Sequence, residues 1–210
     1  MAPDTISSTL DRQHALALRK LMEDTIKTMS AVVEKRDNYT WRHQLRVAEL
    51  ATAIAVDMQW PEDRVLGLKL AGSIHDLGKI FIPFEILSKP GKLNRIEFNM
   101  VKEHPRIAFE ILTNMDFCWP INQIIYQHHE RLDGSGYPGK LTGNSILPEA
   151  RILAVADTVE AMSFDRPYRP ALGIENALSE INAGSKQLYD AQAVDTCTRL
   201  FGHRKFRFTS

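Results

Sequence analysis

Residues 61–77 read PEDRVLGLKLAGSIHDL. Pro61 followed by Glu62 and Asp63 marks a helix start: proline suits the first turn, and acids there complement the partial positive charge of a helix N-terminus. The apolar residues that follow, Val65, Leu66, Leu68, Leu70, Ala71 and Ile74, occupy more than one helical face. That pattern belongs to a central, buried helix rather than a surface one. Gly78 is expected to end it.

On either side the same periodicity continues. Over residues 40–58, His43, Val47, Leu50, Ala51, Ile54 and Met58 share one face of a helix. Over residues 10–35, Ala15, Leu18, Met22, Ile26, Met29 and Val33 recur at spacings of three and four. This N-terminal helix has two readings. It packs on its own domain, or it serves as a signalling or dimerisation helix that links a homodimer or carries input from an upstream sensor domain or signalling partner. Residues 1–8 are polar and are expected to be disordered.

Beyond the central helix, residues 80–93 form a connection containing Pro83, Pro90 and Gly91. Asn94 with Glu97 three residues later is the pattern of a capping box. His104-Pro105 is expected to end the helix so opened, with another running on to about residue 114. Further helices are expected over 119–129, 149–163 and, as one or two, 173–202. Residues 130–148 are turn-rich. No alternating strand pattern of any length is present, so the fold class is all-α, a multi-helix bundle. The expected division is residues 1–36 as the start and N-terminal helix, and residues 37–210 as the main domain.

A length of 210 residues suits one domain, and 44% hydrophobic residues are enough for its core. Lys+Arg and Asp+Glu each number 26. That balance argues against a binder of polymeric nucleic acid, which carries a basic excess, while leaving room for a small anionic ligand held by a local basic cluster. Cys118 and Cys197 lie far apart and outside any Cys-x-x-Cys pair, so they read as free thiols in a reducing compartment. No apolar run approaches the roughly 20 residues of a membrane span, and the N-terminus lacks the apolar core of a signal peptide. The expected location is the cytoplasm.

The histidines carry the chemistry. There are seven, and several lie on apolar faces. His43 is on the apolar stripe of its helix. His75 and Asp76 close the most buried helix. Asp157 shares a stripe with Ala150, Leu153, Ala154 and Ala161, and a buried carboxylate is costly unless paired or bound to a cation. His128 and His129 adjoin the turn-rich loop. Imidazoles and carboxylates aimed inward from different helices are what a metal centre inside a bundle requires. Adjacent His75 and Asp76 leave a helix about 100° apart, so both can approach one cluster, the carboxylate bridging two ions. Imidazole and carboxylate without thiolate suit iron or manganese. Two such ions about 3.5–4 Å apart clamp the attacking and leaving oxygens of a phosphoryl displacement.

In order, the chain reads RDNYTWRH, HDLGKIFIP, ILSKPGKL, HP, HHERLDGSGYP, ARILAVADTVEA and DRPYRPA. Over residues 36–195 this resembles the HD-GYP family, a branch of the HD phosphohydrolases, and the HHE-x-x-DGSGYP stretch is specific for it. The resemblance implies a helical domain that hydrolyses cyclic di-GMP. It implies metal ligands at His43, His75, Asp76, His104, His128, His129 and Asp157, a substrate-phosphate role for Lys79, and contacts to phosphates and bases from Tyr137, Arg166 and Arg169. Residues 37–210 would then be the catalytic domain, with two divalent ions and a cyclic dinucleotide as partners. Other readings stay open: a different cyclic dinucleotide such as cyclic GMP-AMP, or a non-catalytic module that senses the nucleotide or docks a partner.

The chain departs from the family pattern in three places. Ala108 stands where many members have glycine, and Tyr189-Asp190-Ala191 replaces Phe-Asp-Pro. Tyr39 stands where some members carry a glutamate that helps hold a third metal. Two ions and a linear dinucleotide product are therefore expected.

Overall fold

The apolar stripe of residues 40–58 becomes helix α2, Asn38–Asp57, opened by Asp37, whose carboxylate accepts the Tyr39 backbone N–H. In the computed structural model, which describes residues 4–165 and 170–209, α2 lies along α3, Glu62–Ile74, and these two helices form the centre of the bundle. Val47, Leu50, Ala51 and Ile54 of α2 and Leu68, Ala71 and Ile74 of α3 are fully buried. Helix α8, Pro148–Ser163, also packs against α2.

Helix α1 runs Asp4–Arg36, so residues 4–8 are helical rather than disordered. The reason is continuity: they extend a helix already committed by the periodic residues behind them, and adding a residue to a formed helix is far easier than starting one. The second half of α1 docks on the core through Ile26 and Val33, both buried. Leu16, Leu18 and Leu21 in its first half are exposed.

Helix α3 stops at Ile74, earlier than expected, and the chain passes into a 3₁₀ turn, Leu77–Phe81. Gly78 does not terminate the helix. It is the point where this turn meets α6, His104–Leu112: a Cβ there would lie 2.0 Å from the His104 carbonyl oxygen. Its role is close approach, not left-handed geometry. The short helix α4, Phe84–Leu87, interrupts the expected connection. Asn94 and Glu97 form the capping box that opens α5, Arg95–Val101. His104-Pro105 does not end α5. It opens α6, because proline lacks an N–H that the first helical turn leaves unpaired anyway.

Helices α7, Ile121–Gln127, α9, Ile174–Ala183, and α10, Ala191–Gly202, complete the bundle. Among the described residues there is no strand, only the isolated bridges Asp133–Thr142 and Ser185–Tyr189. The chain is all-α, as expected. Ala108 is fully buried against Gly78, Tyr189 is buried, and Asp190 caps α10. Cys118 is exposed, and Cys197 is buried, which pushes its thiol up to about 12. Among the described residues no helix is long and apolar enough to cross a membrane.

Candidate metal centre

The bundle brings all seven residues of the expected ligand set to one place. His43 and Asp157 project from the middles of α2 and α8. The other five sit at helix ends: His75 closes α3, Asp76 leads into the 3₁₀ turn, His104 opens α6, and His128 and His129 follow α7. His43, His75, Asp76, His104, Asp157 and His128 are buried. Three overlapping triads, His104–His128–His129, His43–His75–Asp157 and His75–Asp76–His128, each hold their ligand atoms within 4.8 Å of one another. Because they share His75 and His128, they form one continuous cluster.

Helix ends explain the orientation of three imidazoles. The last carbonyls of a helix have no intrahelical partner. Gly72 O, Val101 O and Ile125 O, near the ends of α3, α5 and α7, lie 2.8, 2.7 and 2.6 Å from Nδ1 of His75, His104 and His128. A carbonyl can only accept, so each Nδ1 carries the proton and each Nε2 keeps its lone pair. His43 is oriented differently, through a short contact of Nδ1 with Glu160 Oε2. Its Nε2 lies 3.1 Å from Asp157 Oδ1 and 3.6 Å from Asp76 Oδ2. Asp76 is fixed by its backbone N–H, which donates to Gln44 Oε1 at 3.0 Å, and by Lys79 Nζ at 2.6 Å from Oδ2.

These residues fit divalent ions. The Nε2 atom of His75 is buried with no hydrogen-bond partner, and Asp76 Oδ1, 3.2 Å from His104 Nε2, has none in hydrogen-bonding geometry. A buried polar atom left this way is costly unless a cation completes it. The electrostatics agree. Burial and then the neighbouring imidazoles hold His128 and His129 well below the ordinary imidazole range, and burial lowers His75. These rings are therefore neutral, as a metal ligand must be. Burial raises Asp76 and Asp157, but the Lys79 ammonium facing Asp76 and the His43 ring bonded to Asp157 outweigh it, so both carboxyls titrate well below their usual range.

Beside the cluster, Tyr137 stacks on His129, with centroids 4.7 Å apart and planes 30° from parallel. Burial, with Asp157 and Asp76 nearby, raises its phenol, which stays protonated. The loop that carries it folds back on itself. Gly136 lies so close to the backbone of residues 129–131 that a Cβ would clash at 2.5 Å. The main brace is Glu130, buried, whose carboxylate accepts the Gly139 and Leu141 N–H groups at 2.5 and 3.0 Å. Asp133 braces it more locally, accepting the Ser135 N–H. A cleft of about 370 Å³ opens onto the cluster and is lined by His43, His104, His129, Lys79, Tyr137 and Tyr39, among others. Arg166 and Arg169 lie outside the described residues.

Glu160, Gln44 and Glu130 were not singled out from the sequence. Glu160 had a usable signal: it falls three residues after Asp157, on the same helical face, in the quoted stretch ARILAVADTVEA. Glu130 stands inside the quoted HHERLDGSGYP stretch, which was its signal, while Gln44 had none, since its partner is a backbone N–H placed by the fold.

The comparisons agree with this architecture. A family model described as HD domain matches residues 20–193. The cyclic di-GMP phosphodiesterase response regulator RpfG of Xanthomonas campestris pv. campestris is 39% identical over 178 residues, covering 84% of this chain and 47% of that protein. The 3'3'-cGAMP-specific phosphodiesterase 1 of Vibrio cholerae is 34% identical over 175 residues, covering 81% of this chain and 40% of that protein. The chain thus spans less than half the length of either relative. Among solved structures, Bd1817, an HDG"Y"P protein from Bdellovibrio bacteriovorus, matches in fold with a TM-score of 0.66 at 17% identity, over 86% of this chain and 61% of that one. With its histidines and aspartates gathered on one helical core beneath a GYP loop, the chain belongs to the HD domain family, in its HD-GYP branch.

Proposed function

We propose that this chain is a metal-dependent phosphodiesterase that hydrolyses cyclic di-GMP, with the linear dinucleotide pGpG as main product. One observation carries the reading: a single cleft is lined by His43, His104 and His129 of the cluster and also by Lys79 and Tyr137. Two divalent ions, iron or manganese, would be held by His43, His75, Asp76, His104, His128, His129 and Asp157, with Asp76 shared between them. Bound there, such ions supply Lewis-acid chemistry, activating the attacking water and neutralising charge that develops on phosphate.

The chain's own groups do the rest. Lys79, at the cleft wall beside Asp76, supplies a positive charge to a non-bridging phosphate oxygen, an interaction that strengthens as charge accumulates. Tyr137, kept protonated, offers a hydroxyl donor and a ring face to the nucleotide. Arg166 and Arg169 are proposed to hold phosphates and bases. Residues 37–210 are the proposed catalytic domain, with α1 docked on it through Ile26 and Val33.

The similarity to a 3'3'-cGAMP-specific phosphodiesterase favours a second reading, in which that nucleotide is the substrate. Metal-loaded protein given both cyclic dinucleotides in one assay separates the two. Faster loss of cyclic di-GMP is expected. Faster loss of 3'3'-cGAMP selects the second reading, and no turnover of either by fully loaded protein overturns both in favour of a binding module.

A further inference from the structure

Glu160 lies one helical turn beyond Asp157 on α8 and is fully buried. Its two oxygens have different partners. Oε2 meets Nδ1 of His43, while Oε1 accepts from Arg46 Nε at 2.7 Å and lies 2.6 Å from Arg46 Nη2. His43 and Arg46 are one turn apart on α2. The Arg46 guanidinium lies over the Phe164 ring, with Cζ 4.0 Å from the centroid. Phe164 in turn meets Phe208 edge-on, at 5.2 Å between centroids.

Phe208 belongs to the segment that follows α10. That segment is tied down along its length. Arg204 pairs with Asp57 at 2.9 Å. The Phe206 N–H donates to Leu200 O at 3.0 Å, and both Phe206 and Phe208 pack on Phe201. Thr209 reaches Glu49 of α2 through its N–H at 3.0 Å and its hydroxyl at 2.8 Å. Glu49 is three residues beyond Arg46 on the same helix. The segment lies past residue 193, where the match to the HD domain model ends.

We infer that this C-terminal segment is a buttress of the metal centre: Phe208 holds Phe164 against Arg46, Arg46 holds Glu160, and Glu160 orients His43 so that Nε2 faces the cluster. The inference rests on the reading of that cluster as a metal centre. Each link has a physical reason. A carboxylate accepting from Nδ1–H fixes the imidazole tautomer and makes Nε2 a better ligand. A guanidinium locked on an aromatic face has fewer ways to leave the carboxylate it grips. An edge-on aromatic neighbour keeps that face in place. Glu160, Arg46, Phe164 and Phe208 are positioning residues; none of them is a proposed ligand.

The test is Mn²⁺ affinity, measured by competition with a chelating dye at a temperature where circular dichroism shows every variant folded. Loss of an outer-shell partner costs roughly 10–100-fold in metal affinity, and Glu160→Gln is expected in that range. Phe208→Ala is expected to weaken affinity several-fold in the same direction, and Phe208→Tyr, which keeps the ring, to restore it. If Phe208→Ala does not fold, Phe208→Leu keeps apolar bulk without the ring and is expected to show the loss. The decisive measurement is the double variant. On the Glu160→Gln background, Phe208→Ala should cost no further affinity, because its effect runs through Glu160. Unchanged affinity in the Phe208 variants, or losses that add in the double variant, overturns the buttress. An unmutated chain that takes up no Mn²⁺ overturns the metal-centre reading itself, and the buttress with it.

Discussion

His104 Nε2 and His128 Nε2 face each other at 3.3 Å, and both rings have already committed Nδ1 as a donor to a helix-end carbonyl. Neither Nε2 then has a proton to give the other. Two lone pairs pointed together in a buried site repel, and a cation between or beside them turns that repulsion into coordination. The site is organised for a charge that protein atoms do not supply.

Stability should therefore depend on metal. Saturating Mn²⁺ or Fe²⁺ is expected to raise the melting temperature and a chelator to lower it. At a hundredfold excess over Kd, linkage contributes about 2.7 kcal/mol, or a shift of roughly 5–10 °C for a domain of this size. Differential scanning fluorimetry checks it. A melting temperature indifferent to both treatments would count against the centre.

Asp76→Ala should lose metal and activity together while helical content survives. Asp76 has His43, His75, His104 and Lys79 around it. As the proposed shared ligand, its loss leaves two cations without the carboxylate between them. The drop in affinity should exceed the roughly 10–100-fold of an outer-shell change. Elemental analysis, circular dichroism and a turnover assay on the same sample decide it. Full metal with near-normal turnover is the contrary result.

Tyr137 touches His129, a proposed ligand, without being one itself. Tyr137→Ala removes the ring stacked on His129 and should raise KM or lower kcat/KM while metal content stays at the unmutated level. Tyr137→Phe keeps the stack and loses the donor, so it separates base contact from hydroxyl contact. Arg169→Ala should likewise impair kinetics without loss of metal. Unchanged kinetics in the Tyr137 and Arg169 variants would remove them from the substrate site.

The number of ions and the product are tied to Tyr39. It lines the same cleft as His43, four residues away on α2. A phenol has a pKa of about 10 in water, so it is a poor partner for a third divalent ion at neutral pH. Two ions per chain and accumulation of pGpG are expected, with Tyr39→Glu gaining an ion. Elemental analysis and chromatography of products over time are the measurements. Three tightly held ions, or prompt mononucleotide release, would contradict this.

Much of this molecule was legible in its residues. The periodicity of 40–58 and 61–77 predicted the two central helices, because burial of an apolar face is written locally at a spacing of three and four. The seven expected ligand positions were named from residue type, context and resemblance, and the bundle gathers those seven residues in one cluster. What tertiary structure decided was everything that depends on a partner distant in the chain. Gly78 reads as a helix stop in isolation, but its real constraint is the carbonyl of His104, 26 residues later. The tautomers of His75, His104 and His128 follow from where α3, α5 and α7 end, and helix ends are set by packing as much as by sequence. Glu160 becomes the partner of His43 across 117 residues only when α2 and α8 lie side by side. Local patterns encode which face is buried. Hydrogen-bond geometry among buried groups exists only after those faces meet.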